Sequence, residues 1–225
     1  MPRKRTLGEL RADLSARLGY GAQGANVGPL VPILNSILET SQVLLYEEFD
    51  WRYLSTYATT TIGASQTNVD VPAAINPERI EGISVRYSNV WLPFLARGIT
   101  PEMYTSQDRE GVPTHWDINQ ASGTTQIEFW PQTDTEYTFR VFGTVPLGDF
   151  YQDGHETTID ADVVFLHALM TAKAHYKQQD APIYEGQWAR LEANLKNRSR
   201  VKHVYRPDSK NVIPIPKPLV VGRDV

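Results

Sequence analysis

The chain has 225 residues, a formal net charge of −4, 41% hydrophobic residues and no cysteine. That length and apolar content allow a buried core, in one domain or one domain with an appended subdomain, and exclude general disorder. The lack of cysteine excludes disulfide frameworks and thiolate-based sites. No run of about 18 apolar residues is present, so no membrane-spanning helix is expected. Met1-Pro2-Arg3-Lys4-Arg5 is basic but lacks the apolar stretch of a secretory signal.

The net charge hides a division. Residues 6–172 carry eight basic and 21 acidic side chains, a net of −13, whereas residues 173–225 carry 11 basic and five acidic, a net of +6. Such asymmetry points to two surfaces facing different partners, the plainer alternative being a solvated basic tail.

The first predicted element is a helix opening at Thr6. Thr6 and Glu9 have capping-box spacing, Leu7, Leu10, Leu14 and Leu18 recur at helical spacing, and Gly19 can supply the left-handed stop. After a loop over residues 20–28, Pro29 and Pro32 open a second helix. Its apolar face comprises Leu30, Ile33, Leu34, Ile37, Leu38, Leu44 and Leu45, and it should end near Glu48. The period then changes. Strands are predicted over 53–61, 67–71, 79–87, 90–96, 112–118, 125–130 and 137–145, with residues 63–66 as a turn and Ser88-Asn89 as a hairpin connection. Residues 100–108 read as a short helix capped by Thr100. Six or seven short strands suggest a small antiparallel sandwich or barrel.

Helical spacing returns at Asp160. Val163, Val164, Leu166, Leu169, Met170 and Tyr176 make a helix apolar on most sides near its start, as expected of a buried one. Asp160 and Asp162 suit its positive end, Lys173 and Lys177 its negative end. A last helix, capped by Asp180, presents Tyr184, Trp188, Leu191 and Leu195. From about Val201 onward, Pro207, Pro214, Pro216 and Pro218 forbid helix and favour an extended path. The expected fold class is therefore α+β, divided as 1–50 (helices), 51–157 (β-rich), 158–200 (helices) and 201–225 (extended tail).

Little in this sequence points to chemistry. His115, His155, His167, His175 and His203 form no HExxH pair, and no GxSxG elbow, P-loop or GxGxxG is present. His167 and His175, two helical turns apart, could share a face, but no third metal ligand stands out. Glu47, Glu48 and Asp50 could serve as acid and base, although the solvated end of an amphipathic helix explains them better. Asn197-Arg198-Ser199 matches a glycosylation sequon without a secretory context. Trp91, Trp116 and Trp130 could stack on sugars if exposed. Two features suggest contacts. Lys196, Arg198, Arg200, Lys202 and Arg206 form a basic run with no acid between them, fitted to phosphate or to an acidic protein surface. Val212, Ile213, Ile215, Leu219, Val220 and Val221 are apolar residues in a segment that cannot bury itself alone, which implies docking against its own domain or a neighbouring subunit, with strand addition as one route.

The order of elements resembles the adaptor proteins beneath the portal ring of tailed phages, the portal-associated or tail tubular protein A-like family. The likeness rests on Thr6-Leu7-Gly8-Glu9-Leu10, Ile33-Leu34-Asn35 and Phe49-Asp50-Trp51-Arg52-Tyr53-Leu54 near the start. It continues in Val69-Asp70-Val71-Pro72, Arg79-Ile80-Glu81-Gly82-Ile83 and Trp91-Leu92-Pro93, and in the closing helices over 165–179 and 183–198. The resemblance implies a helical bundle with a β-rich insertion, assembled as a ring, usually twelvefold. Such a ring sits in the virion neck between portal and tail proteins, lines the channel through which DNA passes without sequence-specific contact, and is assembled in the host cytoplasm. It implies a structural protein without catalysis or cofactor. The alternatives are a peptidoglycan hydrolase using two of the clustered carboxylates, or a carbohydrate-binding virion module.

Overall fold

The computed structural model describes residues 4–20, 28–105, 109–120 and 123–199. It is a mixed α+β fold with helices α1 (Leu7–Arg17), α2 (Val31–Glu48), α3 (Pro101–Tyr104), α4 (Ala161–His175) and α5 (Ala181–Ser199). Its strands are β1 (Ser55–Ile62), β2 (Asn68–Asp70), β3 (Ile80–Tyr87), β4 (Val90–Trp91), β5 (Ala96–Arg97), β6 (His115–Asn119), β7 (Gln126–Trp130) and β8 (Tyr137–Thr144). No helix among the described residues is long and apolar enough to cross a membrane.

Helices from both ends of the chain share one core. The Thr6 hydroxyl accepts from the Glu9 amide while the Glu9 carboxylate accepts from the Thr6 amide, so α1 opens with the reciprocal cap its sequence predicts. Leu7, Leu10 and Leu14 then turn inward against Leu34, Leu38 and Leu45 of α2 and Val164, Ala168 and Leu169 of α4, with Trp188 of α5 closing the cluster. Asp160 caps α4 through the Asp162 amide. The same core draws in Trp51, Leu54 and Phe150 from outside the helices. The start of α1 is fastened to the segment leading into α4: Arg11 donates to both carboxylate oxygens of Asp153 at 2.6 and 2.8 Å. This bidentate pair raises the Arg11 pKa and lowers that of Asp153.

The strands form two four-stranded sheets, ordered β1-β8-β3-β4 and β2-β7-β6-β5. They face each other over a second core of Ile62, Ile83, Val85, Phe139 and Val141 from one sheet and Trp116, Ile127 and Phe129 from the other. Phe129 and Phe139 stack across the gap, ring centroids 4.1 Å apart. Strand β8 alternates as a half-buried strand should, with Tyr137, Phe139 and Val141 inward and Arg140 and Phe142 less buried on the other face. The barrel alternative does not form, because the two sheets remain separately paired.

Two strand expectations need correction. Residues 67–71 were expected to return along β1, yet β2 pairs with β7 in the opposite sheet. The strand expected over 90–96 breaks in two: β4 completes the β3 hairpin, and β5 crosses to run parallel to β6. Leu92-Pro93-Phe94 lies between, and a proline amide cannot extend a ladder. The Ser88-Asn89 connection is as read, both residues at positive φ (47° and 65°), which a two-residue primed turn requires.

Candidate functional site

Two of the carboxylates clustered in sequence are divided between cations on different elements. Glu47 pairs with Arg79 at 3.3 Å and Glu48 with Lys196 at 3.1 Å, both carboxylates being exposed. Asp50 borders only a shallow recess of about 10 Å³ with Trp51, Arg52 and Glu81. All three residues are exposed.

The histidines are equally dispersed. His167 lies edge-on to Trp188 at 4.8 Å, and its pKa is lowered by burial against the opposing influence of Glu48 and Glu192. His175 lies edge-on to Tyr176. No group of three potential metal ligands occurs among the described residues; His203 lies outside them.

The three-tryptophan sugar platform is not assembled. Trp116 is 1% exposed, a core residue between the sheets. Trp130 instead lines a recess of about 220 Å³ with Tyr104 and Glu128, its indole nitrogen donating to the Met103 carbonyl at 3.0 Å. Trp91 belongs to the opposite sheet, stacked under the Arg140 guanidinium at 4.2 Å.

What the fold does leave on its surface is apolar. On the outer face of the β1-β8-β3-β4 sheet, register sets Tyr57 beside Phe142, with ring centroids 5.8 Å apart. Phe94 adds its ring to Phe142 at 5.2 Å and lies over Gly82, where any side chain would meet it. Arg140 is held between the rings of Tyr57 and Trp91. Tyr57 is 56% and Phe94 61% exposed. On the helical side, Ile33, Val43 and Leu44 of α2 are exposed, and Ile33 borders an open apolar recess with Pro32, Ile37 and Thr171. Ile33 and Leu44 belong to the apolar face expected of α2, but periodicity does not separate them from the buried Leu34, Leu38 and Leu45, and it does not include Val43. The aromatic face could not be read from periodicity, because it depends on which strands pair.

Of the basic run, Lys196 lies near the end of α5, its ammonium bonded to Glu192 and Glu48, which raise its pKa. It therefore ties α5 to α2. Arg198 falls within α5, while Arg200, Lys202 and Arg206 lie outside the described residues. So do Val212, Ile213, Ile215, Leu219, Val220 and Val221. Compared with known proteins, the chain matches no family model and no curated protein.

Proposed function

We propose that the chain is a structural virion protein, a ring-forming adaptor that joins a phage portal to the tail and lines the DNA channel. In this reading a helical bundle carries an inserted β-sandwich, and the apolar tail and basic run at the C-terminus dock on neighbouring subunits and on the portal. The observation that carries the reading is that large apolar side chains stand exposed on both halves of the molecule, Val43 and Leu44 on the helices and Tyr57 and Phe94 on the sheet. Surfaces of that kind mark contacts with other macromolecules. The acidic body and the basic C-terminal segment supply complementary charge for copies of the same chain.

Native mass spectrometry of the chain mixed with portal protein tests this. Multiple copies, ideally twelve, should add to the portal ring at low ionic strength. Binding should weaken as salt rises, since exposed charges are screened beyond about 10 Å at 0.1 M. A portal that binds no copies at low salt refutes the reading.

A further inference from the structure

We infer that the outer edge of β1 is the seat of a tail strand, residues Val212–Val221, contributed by a second copy of this chain. The inference rests on the ring reading and assigns the surface through which neighbours are joined.

The first observation is the edge itself. β1 is the end strand of its sheet, and no described strand pairs with its outer side. Its eight residues, Ser-Thr-Tyr-Ala-Thr-Thr-Thr-Ile, contain no charge and no proline. Natural edges are blunted by short length, charge, proline or a bulge, and β1 uses none of these. The other end strands are shorter: β4 and β5 have two residues each and β2 has three. The core is also incompletely closed along this edge. Thr56, Ala58 and Thr60 share the inward side with buried Ile62, yet each remains part-exposed. One further strand beside β1 would cover them.

The second observation is the arrangement of prolines in the tail. Pro214, Pro216 and Pro218 alternate with Ile213, Ile215, Lys217 and Leu219. In an extended strand, successive residues direct their N–H and C=O groups to opposite edges. All three prolines therefore face one edge, which cannot donate, while Ile213, Ile215, Lys217 and Leu219 keep complete donors and acceptors on the other. A segment with this parity can pair on one side only. It can join an open sheet edge, and it cannot template a further strand.

The third is reach. The Lys196–Glu48 contact sets the end of α5 beside the end of α2, seven residues before β1 begins. Residues 200–211 can span up to about 40 Å when extended, against about 26 Å for the length of β1. The reach of the connecting segment thus exceeds the length of the edge it would serve. Tail of one to edge of the next is a head-to-tail contact, the kind that closes into a ring and uses both surfaces of every copy.

The test exploits the absence of native cysteine. One batch of full-length chain carries only Thr59→Cys; others carry only Ile213→Cys, Ile215→Cys or Leu219→Cys. A disulfide between chains of different batches must join two copies. Mixed, assembled on portal and oxidised, at least one tail batch should give a mixed dimer with Thr59→Cys chains, and unassembled mixtures should give little. In parallel, Ile215→Pro removes a pairing donor and should cut ring occupancy at least tenfold, whereas Val220→Pro, on the proline-bearing edge, should leave it within twofold. Rings that form normally with Ile215→Pro and yield no mixed dimer overturn this seat while leaving the adaptor reading standing. A chain carrying both Thr59→Cys and Ile215→Cys that cross-links only within itself overturns the exchange between copies. Failure of the unsubstituted chain to form rings removes both readings.

Discussion

Tyr46 is the point at which the helical and β cores are joined, and Tyr46→Phe isolates what its hydroxyl contributes. The residue is fully buried near the end of α2. Its hydroxyl donates to the Val145 carbonyl at 2.8 Å, just after β8, and accepts from the Asn76 amide group at 2.9 Å, just before β3. The Arg79 guanidinium lies 4.6 Å above the ring and donates to the Glu47 carbonyl at 3.0 Å. Phenylalanine keeps the ring and the cation above it, so only the two hydrogen bonds are lost. Each contributes about 1 kcal/mol net, and groups left buried without a partner raise the cost, so the variant should be destabilised by about 2 kcal/mol. For a chain of this size that lowers Tm by roughly 4–8 °C. Urea unfolding followed by tryptophan fluorescence gives the free energy. Tyr57→Phe is the control, since Tyr57 is exposed on the sheet and should change stability by less than about 0.5 kcal/mol. Equal effects of the two substitutions would refute the role given to the Tyr46 hydroxyl.

Two further outcomes follow from the packing. Gly143→Ala would put a methyl 2.7 Å from the Arg79 carbonyl oxygen and 2.9 Å from Ile75 Cγ2; backbone cannot yield there, so a loss of about 3 kcal/mol is expected by urea unfolding, and a loss below about 1 kcal/mol contradicts the close approach. His167 is half-buried, its Nδ1 atom shielded and unpartnered among the described residues, and burial lowers its pKa. The unfolded chain binds the proton more readily, so this residue's share of stability is present above about pH 6.5 and is lost as pH falls through the lower folded value. His167→Phe should therefore gain stability relative to the parent between pH 7.5 and 5, and an unchanged difference across that range counts against the half-buried neutral ring.

Features written into consecutive residues were legible in the sequence. Thr6 with Glu9, Asp160 before its apolar run and Ser88-Asn89 between strands all act through neighbours within four residues, and all three hold. Features that depend on distant partners were not. Lys173 reads from the sequence only as a cation suited to the negative end of a helix, yet it is 4% exposed. Its ammonium reaches Gln178 and Asp180 at 2.8 and 2.6 Å and lies over the Tyr184 ring. A turn between α4 and α5 supplies those partners, and no helical period reports it. Trp116 carries the same composition signal as Trp130, but only the meeting of two sheets makes one core and the other the wall of a recess.

The site followed the same rule in reverse. Carboxylates adjacent in sequence, Glu47 and Glu48, are drawn apart to cations on different elements, Arg79 ahead of β3 and Lys196 on α5. Aromatics far apart in sequence, Tyr57, Phe94 and Phe142, are brought to one face by strand pairing. The two ion pairs and the Tyr46 hydroxyl all gather where α2 ends, so one short stretch fastens the last helix, the loop before β3 and the exit of β8. A force borne by the β half, as a docking contact through its outer sheet would impose, is thereby delivered to the helical core through hydrogen bonds and ion pairs rather than through a free hinge. That coupling accords with the adaptor role proposed above.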